Sequence, residues 1–448
     1  MDAPTRRRLL AATGSSIAVL AGCFTESGSD APELATPADA PDEDWSVPDW
    51  RPADAVPSED DVEATTVVSD LAIPWDLTFA DGDAFVTERD GGVRRFDAGA
   101  LADDSGLGPA DGETILESGS LPDRASPGEG GTLGVAVHSD FPDTPDLFVY
   151  YTADDGVVSN RVVRYDIESG DLETVLEGIP GASIHNGGRI AFGPDDALWV
   201  LTGDAREPAL TQDPGSRAGA VLRVTPEGEP HPENPDWGDD GDRRTYALGH
   251  RNPQGLDFTP RGTPILAEHG PGARDELSVL RPGGNYGWDI VRGGPDDSEY
   301  ENYDDYEAAT PPVVNTGPGT TWAPSGLAFY DDDAIGPWAN AVLVCGLASS
   351  ALYVVGLTPP DESDGSADDG GAADTREGDS GVRYDADWLD DRFTATVHRL
   401  FAGEWGRLRH VEPGPDGSLY LLTSNRDGRA DGPFPRANDD RIVRLDPR

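Results

Sequence analysis

One phrase recurs six times along this chain. A short strand of apolar-x-apolar form is followed by a turn with Asp, Gly or Pro, and then by a more strongly apolar strand. The copies pair Leu77 to Phe79 with Ala84 to Val86, Val135 to Val137 with Leu147 to Tyr151, and Ile190 to Phe192 with Leu198 to Leu201. They continue with Leu256 to Phe258 and Pro264 to Leu266, Leu327 to Phe329 and Ala341 to Val344, and Val411 to Pro413 and Leu419 to Leu422. Further apolar runs follow most copies, as at Val93 to Phe96, Arg161 to Tyr165, Val221 to Val224 and Leu352 to Leu357. Each repeat therefore supplies about four strands with turn signals between them. Few segments carry a helical period, which argues against a parallel α/β fold. The expectation is an all-β, six-bladed β-propeller of four-stranded antiparallel blades. Ala64 to Ser69, beside Arg441 to Leu445, would complete the last blade and hide both sheet edges. A β-solenoid needs shorter, more uniform repeats, and two sandwiches need a mid-chain linker that is not there.

The repeats lie within residues 63–448, and what surrounds them is biased sequence. Residues 1–23 read as a targeting segment. Twin arginines within Arg6-Arg7-Arg8 precede a short apolar run, and Leu20-Ala21-Gly22-Cys23 closes it like a lipoprotein processing site. Twin-arginine export and lipidation of Cys23 follow, giving an exported protein anchored on the outer face of the cell membrane by lipid alone. Residues 24–62 are rich in Pro, Ala, Ser and acids and read as a structureless tether. Residues 359–387 are acidic and rich in Gly, Ser and Ala, and read as a structureless insertion. The second cysteine, Cys345, falls in an apolar run and is expected to be a small buried hydrophobe.

Charge narrows the partners. The net charge is −52, from 85 acidic and 33 basic residues, and not one basic residue is lysine. Such a surface repels nucleic acid and anionic membrane, so neither is an expected partner. It suits a folded protein of high-salt surroundings, where counterions screen self-repulsion.

The unusual polar residues sit beside the recurring strand pairs. Glu129 lies among glycines before the second repeat. His185 begins His-Asn-Gly-Gly-Arg before the third, whose second strand ends near Asp204. Arg251 and Asn252 precede the fourth, which is followed by Gly270, Pro271 and Asp275. Thr321 precedes the fifth, and Arg407 and Arg409 open the sixth. In a propeller, loops at equivalent places in successive blades gather around the axis, so these groups are expected to converge. Three arginines suit a ligand with several carboxylates. A histidine with the carboxylates of Asp204 and Asp275 suits a general base. The Gly270-Pro271 corner suits a hard cation such as calcium.

At these residues the chain resembles the soluble quinoprotein sugar dehydrogenases, the aldose and glucose types together, from about Val67 to Pro447. The resemblance is carried by Ile73-Pro-Trp-Asp-Leu, Thr87-Glu-Arg, Gly128-Glu-Gly-Gly, His185-Asn-Gly-Gly-Arg and Gly249-His-Arg-Asn-Pro-Gln-Gly-Leu. It continues through Glu268-His-Gly-Pro, Asp275-Glu-Leu, Gly284-Asn-Tyr-Gly-Trp, Ala323-Pro-Ser-Gly and Arg407-Leu-Arg. The family fold is a six-bladed propeller. The resemblance implies oxidation of an aldose at its anomeric carbon to the lactone, with pyrroloquinoline quinone as cofactor and electrons passing to an acceptor. His185 would be the base, oriented and polarised by Asp204 and Asp275. Arg251, Asn252, Thr321, Arg407 and Arg409 would hold the cofactor, with Glu129 beside it. Carbonyls of Gly270 and Pro271 would bind a calcium at the cofactor, and Glu276 with the Tyr286 carbonyl a second, structural calcium. The chain departs from the family at Glu129, where glutamine is common, at His269, where the glucose type has a glutamine but the aldose type tolerates histidine, and at Ala348, where the glucose type has lysine. Near Thr321 it has Gly319 and Thr320 where an aromatic is expected.

Two other functions fit the same scaffold. A non-catalytic propeller binding sugar or protein would keep the blades and the structural calcium alone. A calcium-dependent lactonase would use acidic metal ligands and would not need the arginines.

Overall fold

The computed structural model describes residues 33–41, 50–103, 106–295, 297–360, 381–384 and 388–448. The leader, Cys23, much of the tether and most of the acidic insertion lie outside the described residues. The rest is a six-bladed β-propeller of four-stranded antiparallel sheets, as the repeats predict. Its innermost strands are Pro74–Ala80, Thr132–Val137, Ile190–Phe192, Pro253–Phe258, Pro324–Tyr330 and Leu408–Pro413. Each neighbours the next, and the sixth returns to the first.

The second strands are apolar on both faces because each blade is sandwiched between two others. Leu147 to Tyr151 are fully buried in succession. Ala136, Phe148 and Val162 of the second blade pack with Ile190, Val200 and Leu222 of the third. Leu343 and Val354 of the fifth pack with Val411, Leu421 and Val443 of the sixth. Cys345 lies in that layer, fully buried, and burial raises its thiol well above the ordinary value. The ring closes through the chain ends. Val62–Val68 pairs antiparallel with Ile442–Pro447, with Ala64 opposite Leu445 and Thr66 opposite Val443. The propeller thereby presents no open edge at its seam.

Two stretches expected to be structureless carry more order than their composition indicates. Val382–Tyr384, inside the acidic insertion, pairs with Thr394–Leu400 as a fifth strand of the fifth blade. Its Val-Arg-Tyr alternation lets Tyr384 bury against the sheet while Arg383 does not. Parts of the tether dock as well. Leu34 is buried with Val291 and Tyr303, and Trp50 meets Phe329 edge-on at 5.5 Å. An apolar residue in a polar tether finds a groove that sequence pattern alone does not reveal.

Loops preceding the innermost strands, and loops joining second to third strands, share one end of the axis. At the other end a chamber of about 520 Å³ is lined by Asp76, Asp81, Asp257, His410 and Glu412. Burial raises Asp76 and Asp257 to about 6 each. That chamber is larger, but its one lining arginine, Arg189, is paired with Asp76, so it offers no cluster of guanidinium groups like that at the other end.

Candidate active site

His185 stands at the start of the third blade in a left-handed backbone conformation, φ +63°. A non-glycine residue rarely adopts this, so the surroundings must hold it. Its amide donates to Glu129 Oε2 at 3.1 Å, and its carbonyl accepts from Ala205 N at 3.1 Å. Gly203 packs so close that a Cβ there would lie 2.1 Å from that carbonyl oxygen. The imidazole Nδ1 meets Asp204 Oδ1 at 2.8 Å. Asp204 is 1% exposed, and its Oδ2 accepts from Trp288 Nε1 at 2.9 Å. With Nδ1 donating to that carboxylate, Nε2 is the ring's free acceptor. Asn252 crosses from the next blade and accepts from Gly187 N at 3.1 Å, pinning the loop that carries His185.

Beside this relay is a cavity of about 210 Å³ bordered by Trp75, Glu129, Gln254, His269, Ala348 and Asp427, with Arg89, Arg407, Arg409 and Arg429. Four guanidinium groups face two carboxylates there, an excess of two positive charges (4 − 2) in a chain of net charge −52. Arg407 Nη2 pairs with Asp427 at 2.9 Å. Arg409 is fixed by Gln254 Oε1 at 3.0 Å and Ser325 Oγ at 3.2 Å, and its guanidinium lies 5.8 Å from the Trp75 ring. Burial lowers Arg409 from its ordinary value, with Asp427 opposing. Burial also pushes Glu129 upward, but Arg429, in direct ion pair with it, and the His185 amide outweigh that and hold it low. Burial brings His269 down to about 4, so its imidazole is neutral near pH 7.

The residues singled out by sequence therefore fall at one end, and Asp275, Thr321, Glu276 and Tyr286 have different partners than expected. Asp275 does not orient His185. Its Oδ1 accepts from Gly270 N at 2.8 Å, and its Oδ2 accepts from Thr321 Oγ1, Trp322 N and Ala323 N at 2.8, 2.6 and 2.8 Å. It ties the Gly270 corner to the loop before the fifth blade, and in a chain this acidic a carboxylate's partner cannot be read from spacing. Thr321 is exposed and serves Asp275, outside the cavity lining. Arg251 sits over the Trp288 ring at 5.5 Å, and burial lowers it while Asp204 opposes. Glu276 and the Tyr286 carbonyl do not frame a vacant cation site. Both accept from the Tyr303 hydroxyl, at 2.8 and 3.3 Å, and Glu276 Oε2 accepts from Arg292 Nη1 at 2.6 Å. Trp288, Gln254, Asp427 and Arg429 join the site without any sequence signal that states their roles. Only the loop position of Asp427 and Arg429, between the second and third strands of the last blade, could have pointed to them.

What the site can hold follows from its unspent groups. Asn252 Nδ2, His269 Nε2, Arg89 Nε and Arg409 Nε are buried without hydrogen-bond partners. A flat polyanion with ring oxygens or nitrogens would satisfy such donors. Among the described residues, the carbonyls of Gly270 and Pro271 accept no hydrogen bond, leaving two oxygens for a hard cation. No group of three or more His, Cys, Asp or Glu side chains among the described residues could hold a metal ion. A cation at Gly270 would therefore need ligands from the bound molecule.

A family profile described as glucose / sorbosone dehydrogenase matches residues 71–431. An aldose sugar dehydrogenase of Escherichia coli (strain K12) is 29% identical over 374 residues, 79% of this chain and 88% of that one. Quinoprotein glucose dehydrogenase B of Acinetobacter calcoaceticus is 33% identical over 213 residues, 41% of this chain and 44% of that one. The structure of a PQQ-bound aldose sugar dehydrogenase from Streptomyces coelicolor superposes with a TM-score of 0.63 at 31% identity, covering 89% of this chain and 99% of that one. The propeller, the histidine relay and these matches agree, and the chain belongs to the glucose / sorbosone dehydrogenase family.

Proposed function

We propose that this chain is a pyrroloquinoline quinone-dependent aldose dehydrogenase that converts the anomeric C1–OH of a sugar to the lactone. The observation that carries the reading is the Trp288–Asp204–His185 relay, tied through the His185 amide to Glu129 on the wall of a cavity with excess positive charge. Its cofactor would be held by Arg407 and Arg409, with Asn252 and His269 offering their unpartnered nitrogens and Arg251 lying near Asp204. Pyrroloquinoline quinone supplies the two-electron acceptor for the hydride leaving C1. His185 Nε2 takes the proton of the C1 hydroxyl, and the buried Asp204 carboxylate stabilises the imidazolium so formed. Trp288 holds Asp204 in place, which keeps Nε2 directed to the substrate. Thr321 and Asp275 act one step removed, by shaping the Gly270-Pro271 corner where a calcium would sit beside the cofactor.

Export and a lipid anchor at Cys23 belong to the same proposal. Among the described residues no helix is long and apolar enough to cross a membrane. The −52 charge supports a high-salt habitat. The test is reconstitution of apoprotein with pyrroloquinoline quinone and calcium in molar KCl, followed by dye reduction across a panel of aldoses. Aldose-dependent reduction that disappears without the quinone supports the reading. Saturable binding with no reduction by any aldose refutes it and leaves a binding propeller.

A further inference from the structure

We infer that Arg292 is a built-in cation, and that this chain keeps its fourth blade ordered with a guanidinium where a divalent ion would otherwise sit. The inference does not depend on the sugar reading. Glu268 and Glu276 occupy adjacent strands of the fourth blade and lie directly opposite one another in register. Both are buried, at 0% and 1% exposure. Like charges opposed on one sheet face destabilise it unless a cation lies between them. The oxygens around them, two carboxylates with the carbonyls of His269 and Tyr286 close by, are of the hard type that calcium selects.

Arg292 fills that place. It is 0% exposed. Nη1 donates to Glu276 Oε2 at 2.6 Å, and Nη2 reaches Glu268 Oε2 at 3.1 Å and the His269 carbonyl at 3.3 Å. Trp288 lies beside the guanidinium, 5.9 Å from ring centre to Cζ. The remaining acceptor capacity is also spent. Glu276 Oε1 takes Tyr303 Oη and Asn315 Nδ2 at 2.8 Å each, and Asn315 Nδ2 also donates to the Arg292 carbonyl at 3.2 Å. Glu268 Oε1 meets His250 Nδ1 and its Oε2 takes Arg251 N, both at 2.8 Å. An ion could enter only by expelling the guanidinium and breaking these bonds. Arg292 therefore positions Arg251 through Glu268 and His269 through its carbonyl, and it makes the order of this blade independent of calcium.

The test is thermal melting of apoprotein in molar KCl, in excess chelator and in about 1–10 mM calcium, roughly tenfold above the dissociation constants of weak extracellular sites. Arg292→Ala leaves two buried carboxylates without their cation and should lower Tm by roughly 5 °C or more in chelator. Calcium should restore much of that loss, while wild type and Arg292→Lys gain no comparable increment. Glu276→Gln in the wild-type background decides the matter even if Arg292→Ala does not fold. A wild-type calcium shift equal to that of Glu276→Gln, or no shift in either, supports the built-in cation. A wild-type calcium shift that Glu276→Gln abolishes would overturn it, since a metal would then be displacing Arg292.

Discussion

Replacing Asp204 by asparagine removes one charge and almost no volume from the relay. The carboxylate serves three donors, His185 Nδ1 and Arg206 N on Oδ1 and Trp288 Nε1 on Oδ2. An amide has one oxygen, so one side must now present N–H. Turning it toward His185 opposes two donors, whereas turning it toward Trp288 opposes one, so the second orientation is expected. His185 then keeps its tautomer but loses a charge-assisted bond, about twice as strong as a neutral one. The difference is about 1–2 kcal/mol, which converts to a fall in kcat of roughly 5–30-fold. Removal of the base itself, His185→Ala, should cost about 10²–10⁴-fold. The buried indole N–H left facing an amide N–H should lower stability by about 1–3 kcal/mol. Dye-coupled turnover of reconstituted protein and urea denaturation measure the two effects. Unchanged kcat in Asp204→Asn, or a loss of cofactor affinity as large as the loss of turnover, would refute the relay.

Arg407→Ala should weaken cofactor binding by roughly 2–5 kcal/mol, while protein loaded at excess cofactor keeps appreciable turnover; equal binding by titration would remove Arg407 from the site. Burial raises Asp257 from 3.8 to about 6, so the folded state binds that proton more tightly than the unfolded one. Its contribution to stability is then present below about pH 4 and is lost as pH rises to about 6. Asp257→Asn should flatten this fall by on the order of 3 kcal/mol, and an unchanged pH slope of unfolding free energy would contradict the assignment. Screening of the −52 charge should raise Tm steadily from about 0.1 M to about 2 M KCl, and a flat profile would refute an electrostatic origin of salt tolerance.

The propeller was legible because its signal is repeated: a strand pair such as Ile190 to Leu201 is ambiguous alone, but six in succession exclude most alternatives. His185 was legible for a similar reason, since glycines beside it mark a backbone that must approach something closely, and Gly187 and Gly188 both take positive φ. Arg292 was not legible. Its role depends on two glutamates being opposite in register and on a loop returning over them, neither of which is written near Val291. Asp275 was assigned to the wrong partner because its distance in sequence from His185 carries no direction. Leu34 and Val382 to Tyr384 were missed because composition averaged over a biased stretch hides a few residues that bury.

The most direct test of the account is a single-turnover experiment. Apoprotein is titrated with pyrroloquinoline quinone in calcium and molar KCl, and an aldose is then added while the cofactor's absorbance is followed. Saturable binding is expected for wild type and for His185→Ala, with rapid reduction on adding sugar in wild type and a rate about 10²–10⁴-fold lower in His185→Ala. Equal rates of reduction in the two proteins, or no saturable binding by wild type, would contradict it.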